Sequence, residues 1–355
     1  MLEQNPSPAL EANHAEVRLW RWPTVMSLAI TLVILLGLGA MLDIQETWRQ
    51  VVACDKTLMV LAGLVHYVTY LLRGYRWQRC LAQVSSSCQW RMFGLLIFFA
   101  NGVDNVVPGK IADIYAAHLA RINCGVRRST ALGALVFLRM VDAWVVLLLA
   151  ALASWWLFAT SLPRAVLWSL LLGVCIAGGV TLVLLIFVLS KMILPTWLPV
   201  RGQQMIRAFH IGMCPPSRQL GLIIVLTSLI WGLEGVWTIS LAAAFGIQVR
   251  LMQGMFLTMI PLLASALPLT PSGVGVVEVT MYSCLRLLDV STVAAASLTV
   301  VHRLIDYWLH IGVSALLWAF RRPIGLRTWL EASSPDAPET QSSQRSLHED
   351  LSYGG

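Results

Sequence analysis

The chain has 355 residues, of which 57% are hydrophobic and only 12% are charged. A soluble globular domain carries about 25% charged residues, so this composition excludes an ordinary soluble domain and predicts a polytopic membrane protein. The formal net charge of +7 does not indicate nucleic-acid binding, because the basic residues of a membrane protein are first explained by its topology.

The cysteine pattern argues against a disulfide framework and against a zinc site. Seven cysteines are present, and none forms a Cys-x-x-Cys pair. We therefore expect free thiols, and we expect no metal site and no cofactor.

The first part of the chain predicts two spans joined by a short loop. Residues 1–22 are polar and precede an apolar run at 24–42, which we interpret as an uncleaved anchor. Residues 43–56 are predicted to form a polar loop, and residues 57–72 form a second span of marginal length.

A basic stretch, RGYRWQR, follows that second span. Arg73, Arg76 and Arg79 recur there at every third position, next to Tyr75 and Trp77. Cations and aromatic rings suit the headgroup layer of a membrane. The stretch predicts either a surface that contacts lipid phosphate or an ordinary juxtamembrane anchor.

Two apolar segments are too short to span and are broken by proline and glycine. Residues 92–107 would reach about 24 Å as a helix, short of a hydrocarbon core of about 30 Å. Pro108-Gly109 then breaks the segment, and residues 111–123 return. Residues 252–267 and 275–289 repeat this plan. Both pairs are predicted to be re-entrant hairpins that line a cavity or are buried in protein.

Four longer apolar runs complete the membrane region, at residues 129–158, 165–190, 219–246 and 291–320. The fold expected is therefore all-α and polytopic, with about six transmembrane helices and two re-entrant hairpins. The transmembrane domain is predicted at residues 23–322. Residues 323–355 are expected to form a disordered cytoplasmic tail, because they are rich in Ser and Pro and have no apolar periodicity.

The two hairpin regions look like an internal repeat, with cores at about 92–158 and 252–320. Each contains Arg-x-x-Asp in its long helix, at Arg139 and at Arg303. The preceding acid, Asp113 or Glu278, lies 26 or 25 residues upstream of the arginine. Three full spans separate the hairpins, so the repeat is predicted to be inverted. The alternative is coincidence between two hydrophobic regions.

Charge distribution predicts the orientation. With the N-terminus in the cytoplasm, most of the 25 Lys and Arg residues fall on the cytoplasmic side. The bias favours an inner-membrane protein whose N-terminus and C-terminus are both cytoplasmic.

Charged residues inside the apolar runs are the candidate site. Each costs about 2.5–3.5 kcal/mol to insert, so they should face a protein interior or a watery cavity. They either lock the bundle as ion pairs or hold a phosphate. Candidate substrate-binding residues are Arg139, Arg303, Lys110, Gly273 and Gly275. Candidate charge-pairing or proton-exchange residues are Asp142, Asp306, Glu278, Glu234 and Asp113.

The glycines of PSGVGVVE have two interpretations. Gly273 and Gly275 permit a close backbone approach to an anion at a helix N-terminus, or they make a tight turn. The stretch is neither a P-loop nor a dinucleotide fingerprint. No recognisable catalytic motif occurs in the chain, so we name no catalytic residue.

Four stretches, NVVPGKIADIYAAHLAR, FLRMVDAW, PLTPSGVGVVEV and VVHRLIDYW, resemble motifs of the lysylphosphatidylglycerol synthase transmembrane family, also called flippase-like membrane proteins. The resemblance covers about residues 20–322. It departs from the family at Lys110, where the pattern often places Gly-Asp/Glu-x-x-Arg. The nearest downstream arginine is Arg121.

The resemblance implies a protein that moves a lipid between leaflets: a phospholipid, a polyprenyl-linked lipid or a hopanoid. It also implies a lipid-modifying synthase or glycosyltransferase as a possible partner, although the aminoacyl-transferase domain of the best-known members is missing here. Together with the residues, it favours a carrier with a midplane cavity. The alternatives are a membrane enzyme and a scaffold for such a synthase.

Overall fold

The computed structural model describes residues 43–84, 88–106, 111–189, 199–265, 273–321, 323 and 325–327. The predicted first span, Lys110 and the predicted disordered tail, apart from residues 323 and 325–327, lie outside these residues. Throughout the described ranges the secondary structure is helical, and no strand occurs there.

The helices follow one another in this order: α1 Ile44–Ala53, α2 Lys56–Cys80, α3 Trp90–Val106, α4 Ala112–Cys124, α5 Arg128–Phe158, α6 Arg164–Leu189, α7 Val200–Met213, α8 Ser217–Ala244, α9 Leu251–Ser265, α10 Val276–Leu287, α11 Thr292–Arg303 and α12 His310–Ala319. Leu304–Leu309 form a π-helical segment that joins α11 to α12. Four helices, α2, α5, α6 and α8, are long and apolar enough to cross a membrane. The all-α polytopic prediction is confirmed.

Helix α2 is the central element, and it is longer than predicted. Asp55 caps its first turn by accepting from the backbone N–H groups of Thr57 and Leu58. The helix then continues through the basic stretch to Cys80 and packs against α3 and α8. At the α2–α3 crossing a Cβ on Gly74 would lie 2.2 Å from the backbone nitrogen of Gly94, so only glycine permits this approach.

Both short helix pairs form as the punctuation predicts. Helices α3 and α4 pack against each other, and so do α9 and α10. The first pair contributes to a core with α2 and α5. The second pair contributes to another core, with α2, α5, α8 and α11. Helix α2 thus belongs to both cores.

Two segments between the predicted spans contain helices. Asp43 caps α1, which replaces most of the predicted 43–56 loop and packs against α11. Helix α7 lies between the predicted spans at 165–190 and 219–246 and packs against α5. The loop prediction relied on polarity. A short amphipathic helix has the same polarity but buries one face.

The expectation that all cysteines are free is wrong for two of them. Cys88 and Cys124 form a disulfide that joins the start of α3 to the end of α4. They are 36 residues apart, so only the antiparallel packing of the hairpin brings them together. The other five cysteines are free.

Candidate functional site

A cavity of about 500 Å³ lies between the two helix pairs. Its walls combine α2, α8 and α11 with residues from both hairpins. Charged side chains line it: Asp113 and Arg139 from the first repeat, Arg303 and Asp306 from the second, and Arg73 and Glu234 from α2 and α8. An apolar bundle tolerates such groups where they face water or one another.

The first charged pair joins α5 to α4. Arg139 donates to Asp113 through Nε, 3.0 Å from Oδ2, and through Nη2, 2.9 Å from Oδ1. Two parallel bonds of this kind are the strong geometry for arginine and a carboxylate. Both side chains remain accessible from the cavity, with Arg139 47% exposed and Asp113 29%. Asp104 lies beside this pair and caps α4 by accepting from the backbone N–H of Ala112 at 3.1 Å.

The second charged pair occupies the matching place. Arg303 Nε donates to Glu278 Oε1 at 2.8 Å, and Arg303 Nη1 lies 3.5 Å from Asp306 Oδ2. The other oxygen of Glu278 accepts from the backbone N–H of Gly275 at 2.7 Å. This pair is buried, with Arg303 9% exposed and Glu278 13%. Each arginine therefore meets the acid that lies 26 or 25 residues before it, which is the spacing noted in the sequence.

Asp142 does not pair with the arginine three residues before it. Its two carboxylate oxygens instead accept from Nη1 and Nη2 of Arg76 on α2. Trp231 Nε1 donates to the same carboxylate at 2.9 Å, and Arg76 also donates to Thr227 Oγ1 at 2.7 Å. Both charges are buried, and both carboxylate oxygens and both Nη atoms are hydrogen-bonded, which is the condition under which a buried ion pair is tolerated.

Arg73 also turns into the bundle. Its Nη2 donates to Glu234 Oε1 at 2.9 Å. The headgroup-layer interpretation of the basic stretch is therefore wrong for Arg73 and Arg76, because α2 does not end at residue 72. Polarity at the end of an apolar run does not by itself mark the membrane surface. Here Arg76 pairs with Asp142 and Arg73 pairs with Glu234 inside the bundle. Even with these two residues moved into the bundle, the charge bias still favours the same side.

His66 was not singled out from the sequence, although it lies in the middle of the apolar run at 57–72. Its Nδ1 is 2.9 Å from Glu234 Oε2, and its Nε2 is 3.5 Å from Asp306 Oδ1. Only 4% of the residue is exposed. An ionisable side chain at membrane depth was the available signal. Its two partners lie on distant helices.

The glycine-rich turn before α10 has the geometry of a tight turn. Gly273 and Gly275 have φ values of +69° and +87°, which L side chains rarely adopt. The N–H of Gly275 already serves Glu278. Within the described ranges, no group of three or more His, Cys, Asp or Glu residues is arranged so that it could hold a metal ion.

The family is decided by the span of the match. The model of the lysylphosphatidylglycerol synthase TM region matches residues 24–314, which include both hairpins and every charged residue of the cavity. The chain belongs to this family. The chain is 24% identical over 220 residues to the UPF0104 membrane protein MJ1078 of Methanocaldococcus jannaschii. The alignment covers 61% of this chain and 92% of that protein.

Proposed function

We propose that the cavity binds the phosphate-bearing headgroup of a membrane lipid and carries it between the two leaflets. The observation that carries this proposal is the repeated pair: Arg139 with Asp113 and Arg303 with Glu278, one in each half, around one cavity. The planar N–H donors with which an arginine binds a carboxylate are the same donors that bind phosphate oxygens, so a phosphate can replace the carboxylate.

The difference in exposure between Arg139 and Arg303 suggests how the lipid headgroup moves. Arg139 is accessible from the cavity, whereas Arg303 is buried. In alternating access around one midplane site, inverted halves exchange roles between the two end states. We infer that Arg139 receives the headgroup in this state and that Arg303 receives it in the other. The acyl or isoprenoid chains remain in the lipid.

The orientation belongs to the same proposal. Both termini are placed in the cytoplasm and the protein in the inner membrane. In a cysteine-free background, cysteines at Arg127 and Gln248 should label from opposite sides of the membrane. Both positions are exposed and lie beside the two hairpins. Labelling of both from one side would show that the halves are not inverted.

A partnership with a lipid-modifying synthase or glycosyltransferase has one supporting observation, the family description itself, which names the membrane region of a synthase. In that role the protein would present or remove the lipid that the partner modifies. A scaffold role makes a different prediction: it would leave lipid asymmetry intact and require no accessible arginine.

The direct test is a leaflet-accessibility assay in proteoliposomes with fluorescent phosphatidylglycerol, phosphatidylethanolamine and undecaprenyl phosphate. Wild-type protein should expose inner-leaflet probe of at least one of these lipids to an external quencher. Arg139→Leu should abolish that exposure while the protein remains folded. The matched control is Arg250→Leu, which changes an exposed arginine outside the cavity. No movement of any of the three lipids would overturn the proposal.

A further inference from the structure

Among the described residues, the buried charges around a neutral His66 leave one negative charge in excess. Arg73 and Arg303 face three carboxylates: Glu234, Glu278 and Asp306. An uncompensated charge in a buried cluster is costly, so a proton added to this cluster is stabilised there. The neighbouring pairs, of Arg76 with Asp142 and of Arg139 with Asp113, supply no spare positive charge, and Asp104 beside the second pair is a further acid.

His66 lies between two of these carboxylates, Glu234 and Asp306, where such a proton would bind. With Nδ1–H donating to Glu234, a neutral imidazole turns the lone pair of Nε2 toward Asp306 Oδ1 at 3.5 Å. Two acceptors cannot stabilise each other, so a proton must lie on Nε2 or on Asp306 for this contact to be favourable. Asp306 is 36% exposed and lines the cavity, whereas His66 and Glu234 are buried.

The remaining titratable and charged groups that face His66 are few. Tyr67, Tyr70 and Arg73 lie on its own helix. Glu234 reaches it from α8, and Asp306 from the π segment. His302 on α11 and His310 on α12 complete the set among the described residues, with His302 edge-to-face against Trp237 and His310 stacked on Phe98. Of these groups, only Glu234 and Asp306 make close contacts with the ring nitrogens.

We propose that His66 carries a proton between Asp306 and Glu234, and that its uptake is coupled to headgroup binding, an inference that rests on the proposed function. The proton passes from cavity water to Asp306, then to His66 Nε2, while the proton on Nδ1 moves to Glu234. In the state in which Arg303 receives the headgroup, the phosphate draws Arg303 away from Glu278 and Asp306 and leaves more negative charge in the cluster. A proton then restores the balance, and reciprocal linkage makes proton binding favour the lipid in turn.

The experiment is calorimetric titration of the detergent-purified full chain in two buffers that differ in ionisation enthalpy. The probes are short-chain phosphatidylglycerol, short-chain phosphatidylethanolamine and a water-soluble polyprenyl phosphate. Wild-type protein should take up about one proton per bound lipid. His66→Gln keeps a donor for Glu234 but cannot titrate, so it should bind lipid and take up none. His310→Gln is the matched control: its Nε2 meets the Phe98 carbonyl at 3.0 Å, and uptake should equal wild type.

Asp306→Asn provides a second test should His66→Gln fail to fold. It preserves the shape of the side chain and the pairing of Arg303 with Glu278, and it should also abolish uptake. Binding by wild type without proton uptake, or uptake unchanged in either variant, would overturn the proton assignment and leave the lipid proposal intact. An absence of binding to all three probes would overturn both.

Discussion

The two halves of the protein use the same device in different settings. In the first half Asp113 holds Arg139 while a second acid, Asp104, caps the start of α4. In the second half Glu278 performs both tasks, holding Arg303 and accepting from Gly275. If Arg139 left Asp113, the start of α4 would still be capped by Asp104. If Arg303 left Glu278, the carboxylate involved would be the one that also accepts from Gly275. The two ion pairs are alike in chemistry, but only the second shares its carboxylate with a turn.

Helix α2 links the two settings. Its Arg76 binds Asp142 of the first half, while Arg73 and His66 reach Glu234 and Asp306.

The largest effect is expected at the buried pair. Arg76→Leu leaves Asp142 unpaired in the bundle and should lower the free energy of unfolding by about 3–5 kcal/mol. The double variant Arg76→Leu with Asp142→Leu should recover most of that loss, since apolar residues of similar volume replace a buried pair well. Reversible unfolding in mixed detergent measures both. A double variant no more stable than the single would contradict this account.

The second prediction compares the two repeated arginines directly. Arg303→Leu should destabilise by about 3 kcal/mol, because Glu278 and Asp306 lose a buried partner. Arg139→Leu should cost no more than about 1 kcal/mol, because its pair faces the cavity. Equal losses in the same unfolding assay would show that the difference in exposure has no energetic meaning.

The third prediction separates packing from binding in the second half. Arg303→Leu with Glu278→Leu should recover stability to within about 1 kcal/mol of wild type, with the lost Gly275 contact accounting for the remainder. It should not move lipid in the proteoliposome assay. A stable double variant with full movement would make Arg303 a structural residue. Arg303→Lys is the companion variant, and it should serve poorly because lysine lacks the planar fork.

The last prediction concerns the glycine turn before α10. Gly275→Ala imposes a side chain on a residue with a φ of +87° and should cost about 1–2 kcal/mol. Gly221→Ala is the matched control, since its added Cβ meets nothing within 4 Å and its helix favours alanine. Equal thermal stability of the two variants would indicate that the turn adapts.

Local pattern was enough to determine much of the fold. Low charge content and long apolar runs predicted an all-α membrane protein, and Pro and Gly placed the ends of both short helix pairs. The repeated pairs were also visible, because the spacing from Asp113 to Arg139 and from Glu278 to Arg303 matches. Such features depend on residues within one helix or one hairpin, where periodicity and punctuation carry the information.

Only the tertiary structure decided which acids pair with the arginines of α2 and which two cysteines form the disulfide. Arg76 and Asp142 are 66 residues apart, and Arg73 and Glu234 are 161 apart. A charge at membrane depth indicates that some partner exists, but several acids on different helices could serve. Which one it meets depends on the rotation and depth of packed helices, set by contacts such as the close crossing of Gly74 and Gly94. His66 gained its place between two carboxylates for the same reason.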